Sequence, residues 1–228
     1  MKRLTFSLLL LFSYSTFILA QVNERTEAFP DRAADTATDQ ARVMGVNAFE
    51  EAFSPQPSGI LHVYLDPRID PAEVYLFRGV EASGTVKALL PQKFQRLARR
   101  LGGKIYATKA VELSGTKDRY LIRIDGIYED RIEMFTINDY EVEHVKTLAY
   151  RSCLNGKCTQ MDTWITDVNG DANAELIQIS RTIRDGKTTR SQKKVLTIAN
   201  NGKWKKSKKL AQDAPWRTIE FYDERGER

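Results

Sequence analysis

The stretch Asp167-Val168-Asn169-Gly170-Asp171-Ala172-Asn173-Ala174-Glu175-Leu176-Ile177 holds the densest set of side chains able to do chemistry. Oxygen donors stand at every second position: Asp167, Asn169, Asp171, Asn173 and Glu175. Alternate oxygens in a short glycine-containing loop are what a hard cation such as Ca²⁺ needs. The same residues can close the loop with no metal, because Asn and Asp side chains bond backbone amides two residues on. The spacing leaves both outcomes open. A helical EF-hand loop does not fit, since its bidentate glutamate would fall at Gln178.

A second chemical signal is Cys153-Leu154-Asn155-Gly156-Lys157-Cys158. Asn-Gly is the preferred two-residue hairpin turn. With 155 and 156 as the turn, Cys153 faces Cys158 at a separation a disulfide can span. A redox-active pair is the alternative, but redox motifs use a two-residue spacing. Nucleophilic catalysis of the Ser-His-Asp kind needs a histidine placed by the fold. The chain has two, His62 and His144, and both sit in strand-like surroundings that read as surface. No two carboxylates form a pair that the sequence places in a cleft. Trp164, Trp204 and Trp216 read as strand-packing residues before sugar platforms. The run Lys203-Trp204-Lys205-Lys206-Ser207-Lys208-Lys209 has two readings. It can contact an anionic polymer or membrane surface, or be a last strand whose lysines discourage strand addition. Base rates favour the solvated strand, and Arg96, Arg99 and Arg100 are read as a solvated face too.

The setting of these residues is an exported chain. Met1-Lys2-Arg3 is a short basic start, the run to Phe12 is apolar, and Phe17-Ile18-Leu19-Ala20 precedes Gln21. This pattern is a secretory signal with cleavage after Ala20. Ser7, Ser13, Tyr14, Ser15 and Thr16 interrupt it too often for a spanning helix. No later segment is apolar enough to cross a bilayer. The expected location is secreted or periplasmic, where a disulfide is permitted. Loss of Lys2 and Arg3 lowers the formal charge by two from +5, to +3. So modest an excess, on an exported chain, argues against nucleic acid.

Beyond the signal the elements follow in order. Residues 21–58 are polar and read as a flexible leader, with helical spacing of Val43, Val46, Phe49 and Phe53 inside 38–53. Residues 59–103 read as strands at 61–65 and 73–77, a turn between them, and a helix over 91–101 that starts at Pro91 and stops at Gly102-Gly103. From 104 the chain is β-rich, with strands expected at 104–113, 119–126, 131–138, 141–153, 158–166, 174–184, 193–200 and 203–210. A charged tail covers 212–228.

An internal repeat organises these strands. At an offset of 55, Glu112 to Ile122 aligns with Asp167 to Ile177, so that Gly115 meets Gly170 and Leu121-Ile122 meets Leu176-Ile177. Phe135-Thr136-Ile137-Asn138 resembles Leu196-Thr197-Ile198-Ala199 at an offset of 61, which an insertion around Gly186 to Gln192 explains. Two units follow, 104–157 and 158–211, each of four strands. That period is propeller-like.

With these residues in view, the stretch from Thr166 to Ile177 resembles the loop of FG-GAP or VCBS-type repeats, the blades of integrin alpha-chain propellers and of many exported bacterial proteins. The resemblance covers 158–211 well, 104–157 weakly, and nothing before 104. It implies a mainly β fold of antiparallel, blade-like repeats. A closed propeller takes typically 4–8 blades, so it also implies an incomplete or open one. It assigns Ca²⁺ to the side chains of Asp167, Asn169, Asp171 and Glu175 and the backbone carbonyl of Asn173. The family's glycine after the third ligand is here Ala172. The implied function is an exported, non-enzymatic binding or structural module with a protein or cell-surface glycan partner. A secreted glycan hydrolase or its accessory domain is the second reading, and it expects a cleft with paired carboxylates and a tryptophan. An inhibitor or immunity-type partner of another exported protein is the third.

Overall fold

The computed structural model describes residues 32–57, 59–65, 75–113, 118–199 and 203–209. The signal segment, the tail and the turn expected at 66–71 lie outside them. The chain divides into two compact units, Met1–Val43 and Met44–Arg228. In the first, the start of helix α1 (Arg32–Glu50) is described. Every contact given below lies within the second.

That unit is built on one open sheet of eleven strands. They are β1 (Ser54–Gln56), β2 (Leu61–Val63), β3 (Val80–Glu81), β4 (Lys104–Val111), β5 (Arg119–Asp125), β6 (Glu129–Asn138), β7 (Glu141–Leu154), β8 (Lys157–Thr166), β9 (Glu175–Arg184), β10 (Lys187–Ile198) and β11 (Trp204–Lys206). From β4 to β11 each strand lies antiparallel beside the next in sequence. Short hairpin connections make that order the natural one. β1 pairs parallel to β4, β3 pairs with β4, and β2 inserts against β8. Helices α2 (Gly84–Leu89) and α3 (Gln92–Leu101) complete the unit.

The mainly β class agrees with the sequence. The four-strand sets β4–β7 and β8–β11 are not separated into blades, because β7 pairs with β8 across their border, and the sheet does not close. Residues 32–57, part of the expected leader, hold α1 and β1. The strand expected over 73–77 falls partly outside the described residues, and 75–77 form a turn.

β5 is the centre of the fold. Successive side chains point to opposite faces, and here both faces are covered. Tyr120, Ile122 and Ile124 join a core with Phe49, Phe53, Val86, Phe94 and Phe135, which the helices close. Leu121 joins the opposite core with Leu61, Val63, Phe77, Met134 and Leu148. α3 follows from Pro91 at its start, Phe94 and Ala98 on its buried face, and Gly102 at its end. Gly102 sits at φ 65°, where glycine bears little strain. Its amide and that of Gly103 donate to the carbonyls of Arg99 and Ala98.

Cys153 and Cys158 stand in register and form a disulfide, with Cα atoms 4.1 Å apart. Asn155 and Gly156 both have positive φ, at 51° and 72°, the requirement of a type I′ turn. Two more hairpins turn the same way, at Asp139-Tyr140 and Asp185-Gly186. Where β7 parts from β8, Thr163 and Gln178 donate to the carbonyls of Leu148 and Thr147. These side chains replace the missing ladder bonds, as buried carbonyls require. Among the described residues, no helix is long and apolar enough to cross a membrane.

Candidate functional site

The helices cover only the β4–β7 part of their face. At the border of that cover, α3 and strands β6 and β7 enclose a cleft of about 760 Å³. α3 turns Phe94 into the core and sets Leu97 half-buried. Lys93, Arg96 and Arg100, which lie on another stripe of the helix, reach the cleft rim.

The floor comes from β6 and β7. Their register places Glu133 opposite Thr147 and Phe135 opposite His144. Glu133 is 1% exposed. A buried carboxylate is very costly unless donors surround it, and three do. Arg131 Nη1 and the Thr147 hydroxyl each donate to Glu133 Oε1 at 3.2 Å. His144 Nε2 lies 2.8 Å from Oε2. Arg131 is shared with Glu129, which pins its guanidinium along the strand. The His144 ring also packs edge-on to Phe135, with centroids 5.3 Å apart.

Four cations (Lys93, Arg96, Arg100 and Arg131) thus face one carboxylate, itself already bonded. No described carboxylate is ion-paired with Lys93, Arg96 or Arg100; Arg96 donates to Gln92. An anion entering the cleft would meet donors on the helix and on the sheet, with Phe94 and Leu97 between them. His144 and the α3 arginines Arg96, Arg99 and Arg100 are exposed, in agreement with the sequence; what the sequence does not foretell is the buried Glu133 to which His144 is bonded. A usable signal was present: Glu133 stands between Ile132 and Met134-Phe135, and a charge inside so apolar a run needs partners.

The loop between β8 and β9 is a turn organised by its own acids. Asp167 Oδ1 accepts the amides of Asn169, Gly170 and Asp171, and Oδ2 accepts that of Ala172. Asp171 accepts the Asn173 amide at 2.8 Å, and Asn169 Nδ2 donates to its other oxygen. Glu175, 2% exposed, accepts the Val168 amide. The side-chain oxygens of Asp167, Asn169, Asp171 and Glu175 therefore accept loop amides, the first three in Asx-type turns, while Asn173 donates its side-chain Nδ2 to the Asp171 carbonyl. Among the described residues, no three His, Cys, Asp or Glu side chains are grouped to hold a metal.

Ala172 adopts φ 64°, the conformation glycine would take there. A side chain in that region costs about 1–2 kcal/mol. Ala172→Gly is therefore expected to stabilise by roughly 0.5–1 kcal/mol, after the added flexibility of the unfolded chain is subtracted. A thermal melt beside the parent protein measures it, and a lower melting temperature would remove the strain from this position.

His62 lies elsewhere, on β2. Its ring stacks on Trp164 at 4.1 Å and on Tyr64 at 4.8 Å, and its Nε2 is 3.9 Å from Asp162. Asp162 is held by Arg181 and Gln160. The two histidines serve separate clusters. Compared with protein-family models, curated proteins and solved structures, the chain matches none.

Proposed function

We propose that the chain is an exported, non-catalytic binding module whose ligand seat is the cleft beneath α3. The cleft itself carries this reading: Lys93, Arg96 and Arg100, none of them paired with a described carboxylate, line its rim above a floor on which Glu133 is already bonded to Arg131, Thr147 and His144. Such a seat attracts an anionic group and leaves room for an apolar or sugar-like body against Phe94 and Leu97. The glycan-hydrolase reading calls for paired carboxylates and a tryptophan, whereas the described lining offers Glu133 and no tryptophan. Of the partners the sequence suggests, an acidic cell-surface glycan suits the cleft best. Export rests on residues 1–20, and the Cys153–Cys158 disulfide suits an oxidising compartment.

Galacturonate titrated into the protein by calorimetry tests the seat. Arg96→Ala with Arg100→Ala is expected to weaken binding about tenfold, since each lost charge-assisted bond is worth about 1.5–3 kcal/mol, discounted for exposure. Unchanged affinity would move the ligand out of the cleft.

We further infer that β4–β7 and β8–β11 are two copies of a blade-like unit and that the β8–β9 loop takes a weak structural Ca²⁺. The copies share strand order and loop position. An experimental structure in which they fail to superpose would remove that part. For the ion, support comes from like charge. Burial first, then Asp171 and Asp167, raise the Glu175 carboxyl against the lowering bond from Val168. A raised carboxyl favours the folded state at low pH, and that stability is lost as pH rises through the folded value. At neutral pH, Ca²⁺ would offset the repulsion, while competing with the amides on Asp167. That competition places it in the millimolar range typical of extracellular modules. Millimolar Ca²⁺ added to chelator-treated protein should raise the melting temperature. Glu175→Gln should raise it without ion and abolish the response. No shift in the parent protein would eliminate the ion.

A further inference from the structure

We propose that the cleft is one end of a longer basic groove that binds a linear anionic glycan, running from α3 across β7 to β10. This rests on the cleft reading above and names the ligand class.

The cleft continues along the sheet. It shares Arg131 and Thr147 with a neighbouring depression of about 410 Å³, which adds Lys146, Tyr150 and Gln178. That one shares Tyr150 with a third of about 190 Å³, which reaches Ser180, Thr182 and Arg190. Three depressions in file, joined by common residues, suit a chain better than a compact molecule.

Charge on the same strands points the same way. Residues 150–160 hold two Lys or Arg and 176–198 hold six, against a single acid in those ranges, Asp185, in a turn. Asp162 of β8 and Glu175 of β9 alternate to the opposite face, where Asp162 pairs with Arg181. Register sharpens this. Lys157 stands directly opposite Arg184, and Arg184 directly opposite Lys187, making a row of three like charges across β8, β9 and β10. By alternation, the pairs Thr182–Arg190 and Gln178–Lys194 belong to the same face. Like charges directly opposite on a sheet are destabilising. None of Lys157, Arg184, Lys187, Arg190, Lys194 and Lys146 is ion-paired with a described carboxylate. Lys146 is held below its ordinary pKa by burial and by Lys194, as expected where cations crowd. A multiply charged anion removes this repulsion.

A glycan fits the rest of the lining. Between the cations stand hydroxyl and amide side chains: Tyr150, Thr159, Ser180, Thr182 and Gln192. These match sugar hydroxyls. Adjacent strand backbones lie about 4.8 Å apart, so the cations in register on β8, β9 and β10 are offered at regular intervals along the groove. Nucleic-acid grooves use successive aromatic platforms for bases; beyond the cleft, where Phe94 is largely buried, the described lining of the two further depressions offers Tyr150 alone.

The test compares monomeric galacturonate with a long oligogalacturonate, using the full protein at low and moderate salt. The long chain is expected to bind about a hundredfold tighter, as linked sites do, and to lose that margin as salt rises. Lys157→Glu with Lys187→Glu, exposed hairpin positions whose change sets opposite charges beside Arg184 and should keep or raise the melting temperature, is expected to abolish the margin and spare monomer binding. Equal affinity for monomer and chain would overturn the groove and leave the cleft standing. A margin untouched by the double variant would do the same. No binding of either sugar would overturn both. Single-stranded DNA or anionic vesicles that bind in the sugar's place, with the same variant dependence, would overturn the glycan assignment.

Discussion

Glu133→Ala is expected to destabilise the protein by about 2–3 kcal/mol in urea denaturation. Removing one partner of a buried ionic network costs about 3–5 kcal/mol when the others are equally buried. Here the discount is physical. Arg131 and His144 keep side-chain exposures of 25% and 41%, so water reaches them, and Arg131 retains Glu129. Thr147 loses its acceptor beneath the cleft. Glu133→Gln keeps the shape and one acceptor oxygen, so about 1–2 kcal/mol is expected. The glutamine variant also removes the one negative charge on the floor. Anion affinity should therefore rise while stability falls. A urea midpoint unchanged by Glu133→Ala would mean that the carboxylate is not buried among its donors. Affinity falling with stability in Glu133→Gln would mean that the charge positions the site and does not merely oppose the ligand.

How far the sequence foretells this site depends on the range of the interactions. Local chemistry is legible. Asn155-Gly156 specifies a turn, the turn specifies the disulfide, and Pro91 and Gly102 bound α3 to within a residue. The strand series from 104 onward is legible because turn residues punctuate it. What is not legible is set by pairing far along the chain. β2 lies about a hundred residues from its partner β8, and no local pattern at Leu61–Val63 names Trp164. α2, with six residues, is too short to show a period. The cleft combines both difficulties. Its floor depends on register shifts between β6 and β7 that bring His144 and Thr147 to Glu133. Its rim depends on which side of α3 faces the sheet. Arg96 and Arg100 look like ordinary surface charge until the strands beneath them are placed. The acidic loop shows the opposite case, where the spacing is vivid but the oxygens serve backbone amides.

α1 is the element that the sequence most undervalues, and it supports the second large expectation. Phe49→Ala should cost about 3–5 kcal/mol. For a chain of this size that is roughly a 10 °C fall in melting temperature. Phe49 is fully buried. Its ring lies 4.9 Å from that of Phe53 and 5.4 Å, edge-on, from Tyr120. Glu50 accepts the Tyr120 hydroxyl at 2.9 Å, so the end of the helix is also tied by polarity to the central strand β5. Met44 is 69% exposed, and Met44→Ala should change stability by less than about 0.5 kcal/mol. The contrast matters because composition presents 21–58 as a dispensable leader. Over 38–53 the only sign of an interior face is the helical spacing of Val43, Val46, Phe49 and Phe53, and of these Val43 stays exposed. A truncation that begins after Phe53 should therefore behave as Phe49→Ala does, or worse, since it strips the aromatic cluster from β5. If that truncation melts with the parent protein, α1 does not cover the sheet. The helix-side core would then have to be closed by α2 and α3 alone.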